Sequence, residues 1–254
     1  MKATAIVLAG SRPGRDPLAE RFGIEIKALI PVGGEPMVRR PVKALLASDR
    51  IGDVIVVAQD VQALGSELPK DKRLTFRESG GTIAATIEML CFDRDLAWPL
   101  LVTTADHALL DEQIISEFLD GAAGADVAIA VVERENLQKR LPQSKRTWLK
   151  FRGGAFTGAN LFALSSPKVL PAIELWRSVE QDRKKSWRLI ALAGPGVMLG
   201  AALRLLTIEK VLERLGAKLR LTIRPVRMSN SLAGVDVDKP EDHALVEAIL
   251  SGRA

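Results

Sequence analysis

Residues 3–10 read ATAIVLAG, and this stretch decides how the rest of the chain is read. It is apolar from Ala3 to Ala9 apart from Thr4, and it stops at Gly10. A half-buried strand would alternate apolar and polar positions. A continuous short run bounded by glycine is what a strand buried on both faces requires. A single Lys precedes it and a Gly/Arg-containing loop follows at once, which argues against a secretory leader. The segment therefore reads as the first strand of a core sheet.

Similar runs recur downstream. Asp53–Ala58 (DVIVVA), Pro99–Thr104 (PLLVTT) and Asp126–Val132 read as buried strands, with Leu74–Arg77 a weaker one. Helical patterns fill Pro36–Ser48, Thr82–Phe92 and Asp111–Leu119. Strands alternating with helices imply βαβ units around a parallel sheet. Further on, Thr147–Leu164 holds two strand-like pieces around Gly153–Gly154 and Gly158. Helices are expected over about 167–215, strands at Leu219–Arg224 and Gly234–Val237, and a final helix at Pro240–Leu250. The expected fold class is α/β, a mixed but mostly parallel central sheet with helices on both faces. One domain is expected over 1–254, in two halves near 1–132 and near 133–254. In such sheets ligands lie beyond the carboxyl ends of the strands. That rule directs attention to Gly10 and to Asp106.

Composition narrows the function classes. With 47% hydrophobic and 26% charged residues, the 254-residue chain has the material for a packed core. Cys91 is the single cysteine, so an internal disulfide is excluded; one cysteine and two histidines leave little for zinc. Cys91 sits in an apolar helical stretch and reads as a buried reduced thiol. The apolar stretch 189–203 is interrupted by Gly194, Pro195, Gly196 and Gly200, so no membrane span is expected and the chain reads as cytoplasmic. The net charge of +5 is dispersed, without interleaved aromatics, which speaks against nucleic acid and leaves a phosphate-rich small substrate. The basic run Arg183–Lys184–Lys185–Ser186–Trp187–Arg188 reads first as a solvated helix face, with an acceptor phosphate or peripheral membrane contact as alternatives.

Three segments carry chemistry. Leu8–Ala9–Gly10–Ser11 opens a loop whose backbone N–H groups can approach phosphates, with Arg12, Arg15 and Lys27 as charge. It is neither a Walker A loop nor a dinucleotide fingerprint. Asp106, at a strand end in Thr103–Thr104–Ala105–Asp106–His107, can ligate Mg²⁺. Gly234–Val235–Asp236–Val237–Asp238–Lys239–Pro240–Glu241–Asp242 offers a second acid. Asp238 also reads as the cap of the last helix, since Asp-x-Pro-Glu is a helix start. Asp236 lies two residues earlier, on the same side if the segment is extended.

The run Lys27–Ala28–Leu29–Ile30–Pro31–Val32–Gly33–Gly34–Glu35–Pro36–Met37, behind Ala5–Gly10, resembles the signature of nucleotidyltransferases of the glycosyltransferase-A-like fold, including MobA-like and sugar-phosphate NTP transferases. The segments Leu100–Leu110 and Gly234–Leu245 resemble it moderately, and 133–215 poorly. The resemblance implies transfer of an NMP from an NTP to a phosphorylated small-molecule acceptor, with Mg²⁺ and release of pyrophosphate. It implies Lys27 on the NTP phosphates, Asp106 with Asp238 or Asp236 on the metal, and Gly80, Gly81 and Thr82 at the nucleobase. Lys150 and Asn160 are candidate acceptor residues. His107 reads as a loop residue, because an acceptor that is already an anion needs no general base. Ser11 stands where the family has a second glycine. The small Gly-Gly-Thr loop favours a pyrimidine, hence CMP. A molybdenum-cofactor guanylyltransferase-type enzyme is one alternative. A glycosyltransferase is another, although the strand end carries a single acid rather than Asp-x-Asp. The sequence leaves the oligomeric state open.

Overall fold

The computed structural model describes residues 2–10, 14, 16–144, 146–180, 200 and 204–253. Ser11, Arg12, Arg15 and the basic run 183–188 lie outside the described residues.

The sheet is built from β1 (Ala3–Leu8), β4 (Ile51–Ala58), β5 (Leu74–Glu78), β6 (Leu100–Thr104), β7 (Val127–Glu133), β8 (Leu149–Phe151), β9 (Gly154–Leu164) and β10 (Ile223–Arg227). Its order is β10-β7-β9-β6-β1-β4-β5, with β8 attached to β9. Neighbours β6-β1-β4-β5 are parallel, as are β10 and β7. β9 runs antiparallel between β6 and β7. The sheet is thus mixed and mostly parallel, as expected. Separately, β2 (Pro31–Val32) and β3 (Glu35–Pro36) form a small hairpin across Gly33–Gly34. Both glycines have positive φ (61° and 80°), as a two-residue turn of this kind requires.

The continuous apolar runs are explained by two cores, one on each face. Along β1, Ala5 and Val7 face one core while Ile6 faces the other. Along β4, Val54 and Val56 join the first, and Ile55 and Val57 the second. The side-chain period of two sends consecutive residues to opposite faces, so both parities must be apolar. The first core is closed by α1 (Pro17–Phe22), α2 (Arg39–Ala47), α5 (Glu112–Gly121) and α9 (Pro240–Leu250). The second is closed by α4 (Ile83–Cys91), α7 (Leu170–Glu180) and α8 (Ile208–Leu219). Cys91 is buried in that second core, and burial there pushes its thiol up to about 11.

Several boundaries differ from the expectation. The early loop contains α1: Asp16 caps it by accepting from the amides of Leu18 and Ala19, Pro17 follows, and Gly23 closes it at φ 65°. Helices α3 (Val61–Glu67) and α6 (Arg134–Arg140) were not anticipated. The strand expected at Leu219–Arg224 begins at Ile223, because α8 runs to Leu219 and Arg220 ends it in the left-handed conformation. Gly234–Val237 forms no ladder. A 3-10 turn spans Ser231–Gly234, and the amide of Val237 bonds instead to the carbonyl of Asp106 at 3.1 Å.

Candidate active site

β1, β4, β5, β6, β7 and β10 all end on one edge of the sheet, and the candidate residues collect there. Lys27 opens a 3-10 turn, Lys27–Leu29, just before the hairpin. Two backbone bonds tie this turn to the following segment: Met37 N–H donates to Ile30 and Val38 N–H to Ala28, both at 2.9 Å. The turn therefore cannot drift, and the Lys27 side chain reaches across the strand ends. Its ammonium donates to Asp106 Oδ2 at 2.9 Å and to Asp238 Oδ1 at 2.6 Å. Burial by itself would lower the Lys27 pKa. The two carboxylates outweigh it and hold the ammonium above its usual value, so it stays charged.

Asp106 is held by a tight turn at the end of β6. Ala105 N–H donates to the Leu8 carbonyl at 3.0 Å and His107 N–H to the Thr104 carbonyl at 3.2 Å. The Thr104 hydroxyl donates to Asp106 Oδ1 at 2.5 Å. His107 is a fully buried anchor rather than an ordinary loop residue. Its Nδ1 lies 3.3 Å from the Thr103 hydroxyl, and its buried Nε2 has no hydrogen-bond partner of normal geometry among the described residues. Burial lowers its pKa to about 4, so it is neutral.

Asp238 turns out to lie one residue before the cap of α9. Lys239 is the cap, and its amide donates to Asp242 Oδ2 at 3.1 Å. The helix-capping role expected of Asp238 is therefore corrected: the register is shifted by one, and the Asp238 carboxylate is turned to Lys27 instead. Asp236 points elsewhere. It pairs with Arg146 through Oδ1 and accepts from Asn160 Nδ2 through Oδ2 at 3.1 Å. Burial raises the Asp236 pKa; Arg146 opposes this, while the nearby Asp106 and Asp238 add to it. The opening acid, the closing acids and Lys27 thus form one electrostatic group.

Leu8, Ala9 and Gly10 end β1 beside this group. A side chain at Gly10 would come within 3.2 Å of the Gln59 amide, a tight fit. In the Gly80–Gly81–Thr82 loop, Gly80 N–H donates to Thr86 Oγ1 at 3.0 Å, Gly81 has φ 98°, and Thr82 caps α4 through the Ala85 amide at 3.2 Å. Lys150 is exposed on β8 and makes no ion pair among the described residues, whereas Asn160 joins the site through Asp236. Arg146 and Thr104 were missed in the sequence. Arg146 carries no local signal, since its carboxylate partners lie 90 or more residues away. Thr104 was legible only as a hydroxyl two residues before the acid.

Among the described residues no group of three His, Cys, Asp or Glu could hold a metal ion. Two carboxylates already share one cation here, however, and their oxygen-only donors suit a hard ion. Mg²⁺ is commonly held by one or two carboxylates with waters and phosphate oxygens, so the pair Asp106 and Asp238 fits it.

The model of the MobA-like NTP transferase domain matches residues 5–196 of the chain. Among solved structures, one described as a hypothetical transferase from Thermus thermophilus shares 32% identity at a TM-score of 0.80, covering 96% of this chain and 100% of that one. The 4-diphosphocytidyl-2C-methyl-D-erythritol synthase of Anaerococcus prevotii superposes with a TM-score of 0.62 at 11% identity, covering 98% and 96%. A 2-C-methyl-D-erythritol 4-phosphate cytidylyltransferase, also from Thermus thermophilus, gives 0.53 at 16%, covering 99% and 100%. The last two share the fold. A search of curated proteins returns no significant match. No described helix is long and apolar enough to cross a membrane.

Proposed function

Starting from the premise that the chain belongs to the MobA-like NTP transferase family, we propose that it transfers an NMP from an NTP to a phosphorylated small molecule (a sugar, polyol or lipid-head phosphate) and releases pyrophosphate. The observation that carries this reading is the Lys27 ammonium set between Asp106 and Asp238 at the carboxyl edge of the sheet, next to the end of β1. An acceptor phosphate oxygen attacks the α-phosphorus, the bond from the α-phosphorus to the bridging oxygen breaks, and pyrophosphate carries away the electron pair. No proton need be removed from an acceptor that is already an anion.

The work of the protein is then positioning and charge stabilisation. Lys27, kept charged by its two neighbours, supplies fixed positive charge to the phosphates. Arg12 and Arg15 are assigned the same task from sequence. Mg²⁺, held by Asp106 and Asp238, would neutralise charge that develops on the phosphoryl oxygens. Thr104 and the buried His107 fix Asp106 so that little reorganisation accompanies the reaction.

The nucleobase is assigned to Gly80, Gly81 and Thr82. The small loop suits a pyrimidine, and two fold neighbours are cytidylyl enzymes by name, so CTP is the first donor to test. The family match itself favours a second reading, guanylyl transfer of the molybdenum-cofactor type. The chain should be incubated with each NTP, Mg²⁺ and a panel of sugar, polyol and lipid-head phosphates while pyrophosphate is followed. CTP-dependent release is expected; GTP-dependent release would support the second reading. No release with any pair would overturn nucleotidyl transfer.

A further inference from the structure

Arg146 stands in the irregular segment between α6 and β8, where the sequence resembles the family least. Its side chain is only 9% exposed, yet it is surrounded by acids. Nη1 donates to Asp236 Oδ1. Nη2 donates to the Asp236 carbonyl at 3.3 Å and pairs with Asp242 Oδ1 at 3.2 Å, while Nε donates to the Ser144 hydroxyl at 3.4 Å. One planar fork thus grips the side chain and backbone of Asp236 and the first turn of α9. From the other side, Asn160 holds the second Asp236 oxygen. Asn160 is placed to do so by an irregularity in β9: between Ile129↔Phe162 and Val131↔Gly158, β9 advances four residues against two on β7, and Asn160 takes φ 48°.

Two acids two residues apart on an extended segment would project to the same side. Here they part, Asp236 toward Arg146 and Asn160, Asp238 toward Lys27. Between them the Val237 amide bonds the carbonyl of Asp106. We propose that Arg146 is a positioning residue: it withholds Asp236 from any cation bound between Asp106 and Asp238, and it fixes the 236–242 segment so that Asp238 meets Lys27. A guanidinium engaged on this many sides is not the group that receives the acceptor's phosphate. A lysine cannot reproduce the fork, because its ammonium is a point charge with no fixed plane.

The activity arm of the test rests on the nucleotidyl-transfer reading; the other two arms do not. Hydrogen exchange at Val237 and Mn²⁺ binding by electron paramagnetic resonance are measured in wild type, Arg146→Met, Arg146→Lys and the double variant Arg146→Met/Asp236→Asn. In Arg146→Met, exchange at Val237 should accelerate at least tenfold. Mn²⁺ should bind at least fivefold tighter, because a freed Asp236 joins the site, and the double variant should return Mn²⁺ affinity to near the wild-type value. Arg146→Lys should fall between wild type and Arg146→Met. Turnover in Arg146→Met should drop at least tenfold, with the acceptor KM unchanged within a factor of two. Should Arg146→Met fail to fold, Asn160→Ala removes the other holder of Asp236 and should give the same Mn²⁺ tightening to a smaller degree. Unchanged Val237 exchange and Mn²⁺ affinity in a folded Arg146 or Asn160 variant would overturn the proposal. So would a raised acceptor KM at unchanged kcat, which would make Arg146 an acceptor-binding group. If wild type releases no pyrophosphate, the functional reading fails, while the exchange and Mn²⁺ arms still judge Arg146.

Discussion

Replacing Lys27 with Met keeps most of the side chain's length and removes its charge. In the structure that charge makes bonds of 2.9 Å and 2.6 Å to two carboxylates. Charge-assisted bonds contribute roughly 1.5–3 kcal/mol each, but Asp238 is 48% exposed and its share must be discounted for solvent screening. Asp106 is only 19% exposed and would be left facing Asp238 without a cation. A net loss of about 3 kcal/mol follows, which for a chain of this size lowers Tm by about 6–12 °C. The loss should shrink on adding Mg²⁺, because a divalent ion can take over the vacated charge and stabilises the folded state by mass action. The ammonium and a divalent ion also compete for the same oxygens. Mn²⁺ should therefore bind Lys27→Met about tenfold tighter than wild type in the absence of nucleotide, which is a difference of about 1.4 kcal/mol, even as pyrophosphate release collapses. Differential scanning fluorimetry across a Mg²⁺ series and a Mn²⁺ titration read both effects. A Tm within about 2 °C of wild type at every Mg²⁺ concentration, together with unchanged Mn²⁺ affinity, would refute the idea that Lys27 is held by these two acids.

Three further expectations can be checked together. Asp238→Asn should leave Tm within a few degrees of wild type, since Lys239 caps α9, and should lose activity that high Mg²⁺ partly restores; Asp236→Asn should instead cost about 2–3 kcal/mol, because the buried Arg146 loses one of its two carboxylate partners and keeps only Asp242. Equal losses of stability in the two variants, measured by urea unfolding, would contradict the division of roles. His107, lowered to about 4 in the fold against about 6.5 when unfolded, contributes stability that is present above pH 6.5 and lost as pH falls toward 4, about 3 kcal/mol in all; His107→Gln should flatten that part of the pH–stability curve, and an unchanged slope would speak against a neutral buried imidazole. Gly216→Ala puts a methyl group 2.4 Å from the Leu221 carbonyl oxygen, a backbone atom that cannot step aside, so urea unfolding should show a loss of about 1–3 kcal/mol; wild-type stability would mean that α8 sits farther from β10 than described.

The sequence made the sheet's buried strands readable because two-sided burial forces every position of a short run to be apolar, as in Ala3–Ala9 and Asp53–Ala58. It made Asp106 readable because a lone acid directly after such a run has no place in the core. Other features had no local signature. Asp16–Pro17 and Gly23 are proper helix signals, but they were submerged in a loop of Gly, Pro and Arg. In the closing segment the cap position was misplaced by one, since Asp-x-Pro-Glu and Lys-Pro-Glu-Asp both describe a plausible helix start and only the packed structure chooses between them. The Arg146–Asp236 pair spans 90 residues, and nothing in either neighbourhood announces the other. The antiparallel insertion of β9 is equally silent: Gly154–Leu164 reads as a strand, but its direction depends on partners, β6 and β7, that lie before it in the chain.

That inserted strand has a consequence for how the molecule can be divided. β6 and β7 are adjacent strands in sequence but not neighbours in the sheet; each is bonded to β9 along the edge it turns toward the other. A fragment ending near Glu133 would contain β6 and β7 whole, yet both strands would present bare amides and carbonyls, flanked by Leu100, Leu101, Val102, Val127 and Ala128. Two open apolar edges of this kind recruit other chains. The first half of the chain therefore has no stopping point of its own, and a truncated or stalled chain at this length is an aggregation risk until β9 emerges and closes the gap.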